Sequence, residues 1–158
     1  MHLLTWSVCK MKSDVLNKKS NKFALENDNG IFKYTSYSAT ITVANGDTTG
    51  KESAIGMPSN FVPVAVALTV LTASTNSVNF VDVGSDADTD GYVDGASIAV
   101  NSAGYKGVIP CNGVLAIGNP TAGAVIGTPD EVECVISGDP GSDTVLRFDI
   151  IGFECTLG

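Results

Sequence analysis

Histidine is almost missing from this chain: there is one, His2, close to the first residue. Ser-His-Asp and Cys-His catalysis, histidine-held metals and histidine general bases all need an imidazole beside a partner, so this scarcity argues against each of them. Charge of either sign is also sparse, at 16% of residues, where a soluble domain usually carries ~25%. Aromatic residues make up 7%, with a single tryptophan. A glycoside-cleaving cleft needs a carboxylate pair and an aromatic lining. Asp130, Glu131 and Glu133 cluster, but there is little aromatic material to line such a cleft. No G-x-x-x-x-G-K-[ST] or helix-opening G-x-G-x-x-G occurs, so no phosphate cradle is encoded. No run approaches the ~20 apolar residues of a membrane helix, and the opening MHLLTWSV is too short and mixed for a secretory core. These gaps predict a protein that is not an enzyme, carries no cofactor and does not act on a membrane.

Cysteine is limited to Cys9, Cys111, Cys134 and Cys155, with no C-x-x-C spacing and no histidine nearby. Zinc is thereby argued against. Reduced thiols in strands, behaving as small hydrophobes, suit assembly in a cytoplasm. A Cys134–Cys155 bridge stays open at this point.

The remaining composition is that of a folded β protein. Hydrophobic residues are 44% of 158, seventeen are glycine, and mean hydropathy is +0.20. Val, Thr, Ser, Asn and Gly build strands and turns rather than helices. A weakly charged, apolar surface is usually covered by a partner.

Charge is unevenly divided. Residues 1–36 carry a local balance of +3 and residues 37–158 one of −11. The expected organisation is an extended N-terminal arm over 1–36 and a β-sandwich domain over 37–158. An acidic body argues against nucleic acid as a partner, since phosphate needs a basic face. The arm holds Lys10, Lys12, Lys18, Lys19 and Lys22 and the lone Trp6. Aromatic anchors dominate interface energies, so these residues are the candidates for protein interaction. The plainer reading is a solvated end with Trp6 packed on its own domain.

The body is organised around Phe61–Ala99. Phe61–Thr72 is almost wholly apolar, as in a central strand, although Pro63 argues for starting the strand at Val64. Ser77–Val83 alternates, with Val78, Phe80 and Asp82 on one face and Asn79, Val81 and Val83 on the other. Upstream, Tyr37, Ala39, Ile41 and Val43 alternate with Ser38, Thr40 and Thr42. Asn27–Gly30 is a turn, and Asn45–Gly50 is read as a loop. Downstream, short strands are expected near Ala96–Val100, Tyr105–Ile109 and Val114–Ile117, with Asn112-Gly113 a hairpin turn. A loop over Asn119–Thr128 follows. Glu131–Ser137 alternates, Asp139–Asp143 is a turn, and Thr144–Thr156 is a long strand with a bulge or close approach at Gly152. About eight strands at this spacing predict an all-β sandwich, jelly-roll-like.

Between the central strands lies Asp86-x-Asp88-x-Asp90-Gly91, then Asp94. This matches part of a calcium loop, without the closing bidentate Glu. Asp86, Asp88, Asp90 and Asp94 are thus a calcium candidate, against the commoner reading of a solvated Asp/Gly turn.

The stretch NFVPVAVALTVLTASTNSVNFVDVGSDADTDGYVDGASIAV resembles small bacteriophage virion structural proteins. It shares their Val-x-Val-x-Leu-x-Val strand, a Thr/Ala/Ser turn, a second strand and the loop Val83–Tyr92. The likeness covers about a third of the chain. It implies a capsid decoration (cement) protein on the capsid exterior, with the major capsid protein and further copies of itself (a trimer) as partners. The alternative is a host-surface or carbohydrate-binding module of a tail, fibre or capsid knob, for which Tyr92 and Tyr105 are the loop aromatics available.

Overall fold

The structure is a computed structural model. It describes the backbone of residues 24–27, 30–53, 61–85, 88–114 and 131–157, with side chains over 34–52, 61–85, 88–114 and 131–154. Ten strands and no helix are found among these residues: β1 (Ala24–Asn27), β2 (Gly30–Val43), β3 (Thr49–Ser53), β4 (Phe61–Thr72), β5 (Asn79–Ser85), β6 (Asp88–Val93), β7 (Ile98–Ala99), β8 (Gly104–Pro110), β9 (Glu131–Ile136) and β10 (Thr144–Leu157). Residues 24–27 and 30–36, which the charge pattern groups with the arm, are strand residues of the first sheet.

One sheet runs β1-β2-β10-β4-β8. The other runs β3-β9-β5-β6, with β7 added beside β5. Every pairing is antiparallel. From β2 onward the chain alternates between layers except at β5, β6 and β7, which follow one another in the second. With β1 and β7 set aside, the order 2-10-4-8 over 3-9-5-6 is a jelly roll, two Greek keys folded face to face.

Period-two alternation places the core. Ala39, Ile41 and Val43 of β2, Val66, Leu68 and Val70 of β4, and Leu146, Phe148 and Ile150 of β10 point inward from the first sheet. Phe80, Val83, Tyr92, Val132, Cys134 and Ile136 meet them from the second. Phe80 and Phe148 join the layers with ring centroids 5.3 Å apart. Each such side chain contributes about 1.5–3 kcal/mol on burial.

The structure corrects several local expectations. β4 begins at Phe61, with Pro63 inside it. The proline is tolerated because β8 pairs only from Ala65 onward, and on the β10 side it sits at a register shift opposite Gly152. In β5, Phe80 pairs with Ile136 and Asp82 with Val135, so Val81 is a bulge residue. The phase then reverses, and Val83 joins Phe80 in the core. The loop expected over Asn45–Gly50 ends early, because Thr49 and Gly50 open the polar edge strand β3. The acidic stretch from Asp88 is the strand β6. At Asn112-Gly113 both backbone amides donate to the Tyr92 carbonyl, at 3.1 and 3.2 Å, and most of the strand expected to complete a hairpin there lies outside the described residues. The expected elements at 55–59, 115–117 and 119–128 lie outside the described residues.

Candidate protein-interaction surface

The outer face of the first sheet follows from the core register. Val66, Leu68 and Val70 face inward, so Ala65, Ala67, Thr69 and Leu71 face out. Across the ladder Thr69 meets Tyr105, Ala67 meets Val108 and Ala65 meets Pro110. A register shift at Leu68/Thr69 leaves Lys106 as the extra residue. Tyr105 and Val108, three apart in sequence, therefore share this face. Leu71, Tyr105 and Val108 are 49%, 64% and 54% exposed. They lie at the β8 margin, where no further strand is paired among the described residues. An edge strand with bare backbone groups and large apolar side chains is a template for a partner. Lys106, whose ammonium donates to Ser102 Oγ at 2.7 Å, is the charged residue of β8.

Elsewhere that face carries the ring pair Tyr34–Phe153, with centroids 5.5 Å apart and Tyr34 exposed, and a polar cluster. Arg147 pairs with Asp149 at 2.8 Å, and the Ser38 hydroxyl donates to the same carboxylate. On the inner side of the same sheet, at its far end, Tyr37 packs edge-on to Phe61 and donates to Glu154 at 2.5 Å. Burial, then the bond to that carboxylate, push the phenol up to about 12.

The acidic hairpin is held by backbone packing. A Cβ on Gly84 would collide with the Asp88 carbonyl and lie 2.6 Å from the Gly91 amide nitrogen. One on Gly113 would lie 2.5 Å from Gly91. Three glycines thus stack main chain on main chain. Asn112 completes the clamp: its Oδ1 accepts from the Asp94 amide at 3.0 Å, and its Nδ2 donates to the Asp94 carbonyl at 2.7 Å. Of the calcium candidates, Asp88, Asp90 and Asp94 are placed on or beside β6, and Asp86 lies outside the described residues. Asp88 is hydrogen-bonded to Asp90, and this bond, with burial and the neighbouring charges, raises its carboxyl above the usual range. No set of three metal-ligating side chains converges among the described residues.

Tyr92 was paired with Tyr105 as a loop aromatic. The structure buries it completely in the core, on β6, while Tyr105 is open on β8. The sequence signal for this was available in Gly91-Tyr92-Val93, a run without the polar alternation of an exposed loop. Cys111 and Cys134 are free thiols, both pushed up to about 12 by burial. Trp6, Lys10, Lys12, Lys18, Lys19 and Lys22 lie outside the described residues. What sequence reading did not locate is the apolar margin of β8, because it requires the cross-strand register and the bulge.

No protein-family model matches this chain, and no curated protein matches it. Among solved structures it is similar to a chain of the cyanophage Pam1 capsid asymmetric unit, at 15% identity and a TM-score of 0.47, over 82% of this chain and 89% of that one. At that distance the likeness decides nothing about function.

Proposed function

We propose that this chain is a non-enzymatic structural component of a bacteriophage virion. It would decorate the capsid exterior, bind across seams between major capsid subunits as a homo-oligomer (a trimer, by the resemblance), and stabilise the shell. The observation that carries this reading is the exposed apolar margin Leu71–Tyr105–Val108, at an edge of the jelly roll that pairs with no further strand among the described residues. A jelly roll serves capsid and lectin domains alike, and a fold alone does not choose between them. The margin favours a protein partner, because apolar side chains beside unpaired main chain suit strand-to-protein contact better than sugar hydroxyls. The stretch that resembles virion proteins supports the same choice, since it spans β4 to β7.

The mechanism is cross-bridging. The body seats its apolar margin on one subunit while the arm, through Trp6 and Lys10–Lys22, grips the next. Linking two weak contacts in one chain raises the effective concentration of the second. Deleting residues 1–22 should lower both occupancy on shells and their heat resistance. Replacing Tyr105 and Val108 by Ser should weaken binding to shells by about 10-fold or more, since anchors of this kind carry on the order of 1–2 kcal/mol each. Glycan-array binding by the purified chain, with no affinity for shells, would overturn the proposal.

A further inference from the structure

The body's acidity is gathered on one layer. Val132, Cys134 and Ile136 point into the core, so Glu131 and Glu133 stand on the outer face of the second sheet. Lys51 lies opposite Glu133, and Ser53 opposite Glu131, on β3. On the other side Asp82 lies opposite Val135 and Gly84 opposite Glu133. The backbone from Asp88 to Gly91 crosses directly over Gly84, which brings Asp88 and Asp90 alongside. The cation of β3, β5, β6 and β9 is Lys51, 2.9 Å from Glu131. The first sheet's outer face instead balances Arg147 against Asp149.

One segment of the same chain has the opposite charge: residues 10–22, with five lysines against Asp14. Two residues later the chain enters β1 at Ala24, the outer strand of the first sheet beside β2. β2 adjoins β3, where Gly50 packs on Thr42 and the Thr40 amide donates to Glu52. β3 is the edge strand of the acidic sheet. The arm therefore joins the body on the flank where that sheet begins. Ala24 pairs with Lys33, whereas β3 meets β2 at Thr40–Thr42, which is ~25 Å further along the strand. With sheets ~10 Å apart and strands ~4.8 Å apart, the path around β3 to Glu133 is then roughly 35 Å. At ~3.3 Å per residue, Lys18 and Lys19 reach only about 16–20 Å from Ala24, while Lys12 and Lys10 reach about 40–46 Å and span it.

We propose that, in the free protein, residues 10–22 dock on the second sheet of the same copy, running around β3 so that Lys10 and Lys12 lie against Asp82, Glu131, Glu133 and the Asp88–Asp90 hairpin on its outer face. Charge complementarity selects this segment. Tethering selects the same copy, because a short linker holds the segment at an effective concentration of order mM. A shell subunit must then compete with the protein's own acidic face for the arm. The inference does not depend on the virion reading.

The test is carbodiimide cross-linking of the full chain at low salt, using an equal mixture of ordinary and nitrogen-15 copies, with links mapped by mass spectrometry. The expected links join Lys10 or Lys12 to Asp82, Glu131 or Glu133 within copies of one isotope. Their yield should fall about 10-fold near 1 M salt, where the screening length is ~3 Å. The Lys51–Glu131 pair is the internal reference. Replacing Glu131→Lys with Glu133→Lys should abolish the links to β9, and Lys10→Glu with Lys12→Glu should weaken all of them without altering β9. Links between isotopes would make a second copy the occupant and overturn the proposal. Links to Asp149, links insensitive to salt, or no links from the arm would overturn it too. None of these readouts measures shell binding, so the inference and the proposed function fail separately.

Discussion

At the scale of single residues, the glycine stack under the acidic hairpin leaves no room for a side chain. Gly84→Ala forces a methyl into the Asp88–Gly91 main chain and should cost about 1–3 kcal/mol, read as a lower urea midpoint at unchanged slope. The adjoining carboxylates act in the opposite direction. Asp88 is raised in the folded state by its bond to Asp90, so its contribution to stability is fully present below the unfolded carboxylate pKa of ~3.9 and lost as pH rises through the folded value. Asp90→Asn should therefore stabilise the protein at pH 7, and melting curves should converge with wild type below about pH 4. If the hairpin holds calcium, the same change will instead destabilise the protein when calcium is supplied, which separates the two readings of this stretch. Cys134 is fully buried, with its thiol pushed up to about 12. Its alkylation at pH 8 should be at least ~10-fold slower than in denaturant, since the thiolate is the reactive form.

At the scale of elements, the corner at Asp139-Pro140-Gly141 ties three connections together. The Asp139 carboxylate accepts from Gly46 at 3.0 Å and Gly141 at 2.8 Å. The Pro140 carbonyl accepts from the Thr75 and Asn76 amides at 2.9 and 3.0 Å. The turn into β10 thereby pins the β2–β3 and β4–β5 turns. The two amides to Asp139 hold its pKa below the usual carboxylate range. That sign means its contribution is present above the unfolded pKa of ~3.9 and disappears as pH falls through the folded value. Asp139→Ala should lower the melting temperature at pH 7, with the difference shrinking below about pH 4. Bulges explain why element boundaries were less legible than element faces. Val81 shifts the phase of β5, and no period-two reading places Val83 inside unless that extra residue is known. Pro63 reads as a strand start only because its escape at the Gly152 irregularity is a property of the partner strand.

At the scale of the whole molecule, the two sheets divide the work. The first presents an apolar margin at β8, and the second presents carboxylates. The arm's charge opposes that of the second sheet, so one chain carries both a docking segment and a face that fits it. Removal of residues 1–22 tests the arm in assembly, and cross-linking tests it in the free protein.

The pattern along the chain was enough by itself to determine the all-β class, the inward residues of β2 and β9, the turn at Asp139–Asp143 and the irregularity at Gly152. These depend on neighbours one to three positions away, and such neighbours are written in the chain. Tertiary structure alone decided that Thr49–Ser53 is a strand, that Tyr105 and Val108 meet on one margin, and that Glu133 stands beside the Asp88 hairpin. Each of these depends on which strand lies next to which, and pairing between segments 40 to 100 residues apart is settled by closing the two layers over a common core.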